Sequence, residues 1–224
     1  MVLALGGAAI LLAAALSGAQ DLESVVDGVQ ARYQETHFFQ ARFQQTSVLA
    51  TLGEKRESGG RVFVRKPGMM RWEYETPERQ FLVSDGVNFW VYTPRQKQVI
   101  VSRFGEAFRS KTPLSFLAGT GSIRNEFEVR WGDGPPGGEG EDPAVYRLSL
   151  VPKAPHPGLK ELRLDVRRDD FLIVRSALVD PFDNITDIRF QEIRVDVDLS
   201  LELFRFQIPR GVEVIEPPRA PTAP

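Results

Sequence analysis

The alternation of apolar and charged residues with a period of two constrains the fold of this chain more than any other sequence feature. It is clearest in two stretches, 160–168 and 192–199, where apolar residues alternate with charged ones. The apolar members are Leu162, Leu164, Val166, Ile193, Val195, Val197 and Leu199. Successive side chains of a β-strand point to opposite faces, so the pattern predicts strands with one buried face. Such strands are typical of antiparallel sheets, and we expect their charged face to lie in water.

Shorter runs of the same kind predict further strands. Trp72 and Tyr74 alternate with charged residues, and Leu148 and Leu150 alternate with polar ones. Additional strands are predicted near 38–50, 55–66, 80–84, 87–93, 97–102, 122–131 and 171–179. Turn residues separate them, including Asp85-Gly86, a strong hairpin signal. The predicted fold class is therefore mainly β with helices, with about ten or eleven antiparallel strands in a sheet that curls.

Two segments depart from the period of two. A helix over 22–35 is predicted from apolar residues at helical spacing, namely Leu22, Val25, Val26, Val29 and Tyr33. A short helix is predicted to begin at Thr112-Pro113 and to end at Gly119. Its apolar residues are Leu114, Phe116 and Leu117.

The two ends of the chain differ in composition from the part between them. Residues 1–19 are an uncharged apolar run followed by small residues, a pattern that predicts a signal peptide cleaved after Ala19. The run is short for a membrane span, but it lacks the basic residue that usually opens a signal, so an uncleaved anchor is the alternative. Residues 20–216 are predicted to form a single domain, and the Pro-rich residues 217–224 a disordered tail.

The composition argues against several classes of site. The chain has no cysteine and a net charge of −2, which exclude a thiolate metal site and disfavour a nucleic-acid binder. Its two histidines, His37 and His156, lie far apart in the sequence. The nucleophile motif G-x-S-x-G is missing, whereas a pair of catalytic carboxylates stays open as an alternative. We therefore expect no metal site, and a solvated face of the sheet is the ordinary explanation for most of the carboxylates.

Aromatic residues and methionines are concentrated in residues 62–92. They are Phe63, Met69, Met70, Trp72, Tyr74, Phe81, Phe89, Trp90 and Tyr92. Core packing is the ordinary explanation for most of them. Met69 and Met70 follow a Pro-Gly turn, where exposure is expected, and methionine suits surfaces that receive variable apolar partners. The pair therefore also fits a site for an apolar ligand.

Short motifs in a fixed order carry a resemblance to a known family. The motifs are FQARFQQ at 39–45, GGRVFVRKP at 59–67, MRWEY at 70–74, LVSDG at 82–86, FWVY at 89–92, Thr112-Pro113, FRF at 204–206 and PRGVEV at 209–214. In this order they resemble the outer-membrane lipoprotein carrier family, LolA. The resemblance implies an unclosed antiparallel β-barrel with a helical lid over an apolar cavity.

The resemblance also implies a function. Members of this family are periplasmic chaperones without enzymatic activity that bury acyl chains in the cavity. The partners implied for this chain are triacylated lipoproteins, an inner-membrane ABC transporter that releases them and an outer-membrane acceptor. The carrier is expected to be a monomer that binds no nucleic acid.

Particular residues take roles by the same resemblance. The family's arginine that latches the lid falls on Lys66, and its aromatic residue at the cavity mouth falls on Met70, so both positions depart from the family pattern. Lysine lacks the planar fork of arginine, and the adjacent Arg65 is expected to point to the opposite face of the strand. The expected latch is therefore weaker, or shared with another residue. The predicted cavity and lid residues are Met70, Trp72, Leu114, Phe116 and Leu117.

Three alternatives remain beside this interpretation. The lipid-anchored outer-membrane acceptor has a similar fold but needs an N-terminal cysteine, which this chain lacks. A periplasmic sensor that binds lipid or lipoprotein and regulates envelope stress is the second. A lipid hydrolase that uses His37 or His156 is the third.

Overall fold

One sheet of twelve strands dominates the computed structural model, which describes residues 21–107, 122–132 and 144–216. The strands are β1 (Phe38–Leu49), β2 (Glu54–Arg65), β3 (Met69–Thr76), β4 (Gln80–Asp85), β5 (Asn88–Thr93), β6 (Gln98–Arg103), β7 (Phe127–Trp131), β8 (Val145–Pro152), β9 (Glu161–Arg167), β10 (Ile173–Val179), β11 (Ile185–Val195) and β12 (Glu213–Ile215). The helices are α1 (Leu22–Glu35), α2 (Phe104–Ala107) and α3 (Ile123–Glu126), with 3₁₀ turns at Pro94–Gln96 and Leu201–Phe204.

The strand order leaves the sheet open. It runs β12-β6-β5-β4-β3-β2-β1-β11-β10-β9-β8-β7, so β12 and β7 are the two edges. Neighbouring strands are antiparallel except β12, which pairs in parallel with β6. The predicted mainly β fold with an unclosed antiparallel sheet is confirmed, with twelve strands in the described ranges where about ten or eleven were expected.

Helix α1 forms where the apolar spacing predicts it. The Asp21 carboxylate caps its first turn by accepting a hydrogen bond from the Ser24 amide at 2.7 Å. Val25, Val26, Val29 and Tyr33 are all buried on one side of the helix. This side packs against a cluster that includes Phe43 and Trp72 from one half of the sheet and Leu148 and Leu164 from the other half. The sheet therefore curves around α1, and we call the face that α1 contacts the inner face.

The outer face is not wholly charged, which corrects the expectation that it faces water. Val83 and Val99 lie on the outer face, because they alternate with the inner-face residues of their strands, and both are fully buried. The segment after β11 covers them: Phe204 is 1% exposed, and the Phe206 ring lies 5.9 Å from that of Trp90. A second apolar layer thus lies behind β3–β6.

Two predicted strands have other boundaries. The strand predicted over 192–199 is instead the end of β11, which stops at Val195. Asp196 takes a positive φ of 57°, and its amide donates to the carbonyl of Phe38, the first residue of the neighbouring strand. Among the described residues no partner strand extends beyond that point, so Val197 is 47% exposed in spite of its alternation. Of the strand predicted over 122–131, the first part is α3 and only β7 joins the sheet.

Some predicted features fall outside the described residues. These are the signal peptide (1–19), the tail (217–224) and the short helix over 112–119 with its candidate residues Leu114, Phe116 and Leu117. Within the described ranges, no helix combines the length and the apolar composition needed to cross a membrane.

Candidate functional site

The inner face is apolar where α1 covers it. Val25 and Val29 of the helix are fully buried against the sheet. Val62 and Val64 of β2 are no more than 2% exposed. Aromatic rings enlarge this cluster: the Phe43 and Trp72 ring centres are 4.8 Å apart at an angle of 63°. The helix thus completes an apolar interior that the open sheet cannot close by itself.

Met70 and Trp72 lie in this interior. Met70 is 1% exposed, so the expectation that it is exposed after the Pro-Gly turn is wrong. The reason is the strand register, since Met70 pairs with Val64 and Ser84 on the inner face while Met69 takes the turn-flanking outer position. Trp72 is 2% exposed, and its indole Nε1–H has no hydrogen-bond acceptor in the described part of the chain.

Lys66 contacts the C-terminal turn of α1. Its Nζ donates a hydrogen bond to the Tyr33 carbonyl and lies 5.8 Å from the centre of the Tyr33 ring. Burial lowers the pKa of Lys66, and the Asp196 carboxylate partly offsets this effect. The neighbouring Arg65 lies on the other side of the strand, where its Nη1 donates to the Leu199 carbonyl at 2.6 Å. The two adjacent cations therefore anchor different segments to the sheet.

A second hydrogen bond holds the same turn of α1. The Ile173 amide donates to the Tyr33 hydroxyl at 3.1 Å, in a buried position. Burial raises the pKa of this hydroxyl well above its usual value. Tyr33 thus joins the helix to the turn after β2 and to β10, which belong to opposite halves of the sheet. Sequence analysis assigned Tyr33 only a packing role, because its partners are distant in sequence.

The inner face changes from apolar to polar across the strands β3, β4, β5 and β6, where two adjacent rows of side chains run from strand to strand. The apolar row consists of Trp72, Leu82, Val91 and Ile100, which pair across successive strands. The polar row lies two residues away on each strand, toward the same edge of the sheet, and consists of Tyr74, Gln80, Thr93 and Gln98. A cavity of about 660 Å³ opens beside both rows, and the described residues that line it include Gln45, Ser47 and Leu49 of β1.

The cavity was not among the predicted sites. A signal for it exists in β1, where the buried inner residues Phe39, Ala41 and Phe43 are followed at the same spacing by Gln45 and Ser47. Inside the cavity the Tyr74 hydroxyl donates to Gln45 Oε1 at 3.0 Å, and burial raises the pKa of Tyr74 to about 12. Both groups are neutral at physiological pH, so they can donate and accept hydrogen bonds without attracting ions.

The chain on either side of residues 108–121 is anchored near α1 and the turns of β2–β5. At one end, the Phe104 amide donates to the Val87 carbonyl at 2.9 Å. At the other end, Ile123 is 1% exposed, and its amide donates to the Gln30 side chain of α1 at 3.0 Å. The position of the lid candidates between these anchors remains a prediction.

The described residues hold no group of three or more potential metal ligands. His37 lies at the junction of α1 and β1, where its Nδ1 is 2.7 Å from the Glu35 carbonyl oxygen. His156 lies in the turn between β8 and β9, where its Nδ1 accepts from the Gly158 amide at 3.1 Å. Both contacts are local to their turns.

Comparison with known proteins connects this architecture to one family. Two relatives are named outer-membrane lipoprotein carrier protein. The one from Methylococcus capsulatus is 32% identical over 177 residues, covering 79% of this chain and 80% of the relative. The one from Nitrosomonas europaea is 33% identical over 177 residues, covering 79% and 82%.

A solved structure shares the fold. The crystal structure of an uncharacterized conserved protein from Thermus thermophilus superposes with a TM-score of 0.54 at 17% identity, covering 88% of this chain and 100% of that one. The family described as Outer membrane lipoprotein carrier protein LolA matches residues 34–207, from the last turn of α1 to the segment behind β3–β6. The chain therefore belongs to the outer-membrane lipoprotein carrier family, LolA.

Proposed function

We propose that this protein is a periplasmic carrier of lipoproteins that buries their acyl chains between its sheet and a helical cover. One observation carries the proposal: the apolar inner face is completed by a helix, α1, and not by another layer of sheet. Side chains, and no strand pairs, hold this helix to the sheet, with hydrogen bonds to Lys66 and Ile173 at Tyr33, so α1 can separate from the sheet without breaking strand pairs. Such a cover allows an apolar interior to be closed in the free state and opened for cargo.

The energetics of acyl chains explain why a cover is needed. Three chains carry roughly 40 methylenes, and burial of each contributes about 0.8 kcal/mol. Free lipoprotein in water is therefore strongly disfavoured, and its carrier must shield nearly all of this surface. The carrier must also release its cargo, so a cover that competes with the chains for the same apolar face favours both loading and unloading.

The finer assignments are part of the proposal. Cargo is triacylated lipoprotein, received from an inner-membrane ABC transporter and delivered to an outer-membrane acceptor, with no cofactor and no catalytic step. Met70 and Trp72 contact the acyl chains from the sheet, and Lys66 holds the cover closed. The cover includes the predicted lid residues, which are Leu114, Phe116 and Leu117.

A release assay tests this function. The purified protein is incubated with ATP and spheroplasts that contain the matched transporter. We expect triacylated lipoprotein to appear in the supernatant in a stoichiometric complex with the protein. If the folded protein releases none, lipoprotein transport is rejected, and a regulatory lipid-binding role becomes the next candidate.

Replacing Lys66 by leucine is expected to loosen α1. The variant loses a hydrogen bond from a charged donor to the Tyr33 carbonyl, an interaction worth about 1.5–3 kcal/mol. Amide hydrogen exchange of α1 should accelerate, and transfer of bound lipoprotein to the acceptor should fall because the open, loaded state is favoured. Arg65→Leu is the matched control, since Arg65 anchors the segment at Leu199 instead. Equal transfer by Lys66→Leu and the wild type would show that Lys66 is no latch.

A further inference from the structure

The boundary between the apolar row and the polar row divides one continuous inner face. Trp72 and Tyr74 are two residues apart on β3, so their side chains lie next to each other on the same face. The same step leads from Leu82 to Gln80 and from Ile100 to Gln98. A molecule that lies across this boundary meets hydrocarbon on one side and hydrogen-bonding groups on the other. The face is therefore complementary to an amphiphile and not to a plain hydrocarbon.

The polar side of the boundary carries no net charge. Two arginines and two glutamates line the cavity, Arg56, Arg79, Glu57 and Glu78. Three of these four are paired with neighbours: Arg56 with Glu54 at 3.2 Å, Glu57 with Lys55 at 2.6 Å, and Glu78 with Arg95. Within the lining the two glutamates balance the two arginines, so the cavity offers no excess positive charge to a phosphate or another anion.

Amide and hydroxyl groups supply the remaining polar lining. Gln80 Nε2 donates to Thr93 Oγ1 at 3.3 Å, and Gln45 Nε2 donates to Ser47 Oγ at 3.2 Å. Each of these side chains keeps further donor or acceptor capacity. Amides and hydroxyls match the alternating N–H and C=O groups of a peptide backbone. The volume of about 660 Å³ is within the range of roughly 300–1,000 Å³ typical of ligand cavities.

A buried donor marks the boundary itself. Trp72 Nε1–H is buried in the apolar row without an acceptor among the described residues. A buried polar group without a partner is costly, which is a reason to look for a ligand that satisfies it. In a lipoprotein, ester and amide carbonyl groups join the acyl chains to the acylated cysteine. These carbonyls are hydrogen-bond acceptors at the junction between the hydrocarbon and the peptide. Trp72 lies at the corresponding junction of the inner face.

We propose that the cavity beside the polar row binds the first, uncharged peptide residues that follow the acylated cysteine of the cargo. The inference rests on the proposed carrier function and adds an orientation to it. The acyl chains lie on the apolar row and beneath α1, the ester and amide carbonyls lie near Trp72 Nε1, and the extended peptide leaves through the polar cavity. The cavity thereby recognises the peptide that follows the acylated cysteine. The apolar interior contacts only acyl chains and cannot by itself distinguish a lipoprotein from another lipid.

Two synthetic probes test the proposal on the purified protein. One is a triacylated cysteine followed by Ser-Gly-Asn-Ser amide, and the other is the same triacylated cysteine as a simple amide. We expect the peptide-bearing probe to bind about tenfold more tightly, the effect of one or two additional hydrogen bonds. The double variant Gln80→Leu with Gln98→Leu should reduce this advantage to less than threefold. The double variant Gln44→Leu with Gln191→Leu, on the exposed outer face, should keep it.

The outcomes separate this inference from the carrier function. Equal binding of the two probes by the wild-type protein would overturn the inference and leave acyl binding intact. Failure of both probes to bind would reject the carrier function itself. If the inner-face double variant does not fold, a photoreactive residue at the second peptide position replaces it as the test. Cross-links to β4 and β6 near the polar row support the proposal, and cross-links elsewhere contradict it.

Discussion

Replacing Gly60 by alanine is expected to prevent stable folding. A Cβ atom at this position would lie 1.8 Å from the Glu73 carbonyl oxygen in the neighbouring strand, and backbone cannot move aside as a flexible side chain can. Gly60 also lies at a register shift between β2 and β3. The Phe43 and Tyr74 rings approach each other across it, with centres 5.0 Å apart. Relief of the clash would separate β2 from β3 at the centre of the sheet.

The expected loss exceeds the roughly 1–3 kcal/mol typical of an overpacked core, because paired strands must move. Denaturant unfolding, or the yield of folded protein where the variant cannot be purified, measures it. Gly105→Ala is the control, since a Cβ there meets nothing within 4 Å and the residue lies in a helix. A Gly60→Ala protein with wild-type stability would show that β2 and β3 are not paired in this register.

Replacing Met70 by glutamate is expected to lower the free energy of unfolding by about 3–5 kcal/mol, the scale of an uncompensated buried charge. Met70 is 1% exposed inside the inner-face cluster, so a carboxylate at this position is removed from water and surrounded by apolar side chains. Burial would raise the pKa of the new carboxyl group above its unfolded value of about 4.3. The folded state then binds the proton more tightly than the unfolded state does. The free energy of unfolding should therefore fall as the pH rises from the unfolded-state pKa through the higher folded-state pKa.

Unfolding at pH 5 and pH 7 measures the effect, and the destabilisation should be larger at pH 7. Met70→Leu serves as the control, because a swap of similar volume costs less than about 1.5 kcal/mol. Uptake of lipoprotein should be lost in the glutamate variant and retained in the leucine variant. Wild-type stability of Met70→Glu at both pH values would place Met70 outside the core.

The helix and most strands could be predicted from local patterns. Helix α1 begins at Leu22 and ends at Glu35, as the apolar spacing predicts, because burial of one helix face requires that spacing. Asp85-Gly86 lies at the turn from β4 to β5, where Gly86 takes a φ of 91° that few other residues tolerate. Each of these features depends on neighbours within a few residues.

Errors arose where a distant segment decides the outcome. The alternation through Val197 predicts a strand, but β1 begins at Phe38 and offers no partner beyond Asp196. Met70 is buried although it follows a turn, because Val64 and Ser84 place it on the inner face. The second apolar layer could not be predicted for the same reason, since Val83 is covered by a segment about 120 residues later in the chain.

The candidate site shows the same division. Family motifs assigned Lys66 and Trp72 to it, yet only the tertiary structure joins Lys66 to the Tyr33 carbonyl and leaves the Trp72 indole without a partner among the described residues. The sequence by itself determined most of the secondary structure, the family and the two-faced strands, since side-chain alternation is a local property of an extended chain. Only the tertiary structure decided which apolar face α1 covers and where the inner face turns polar, because both depend on pairing between strands far apart in the sequence.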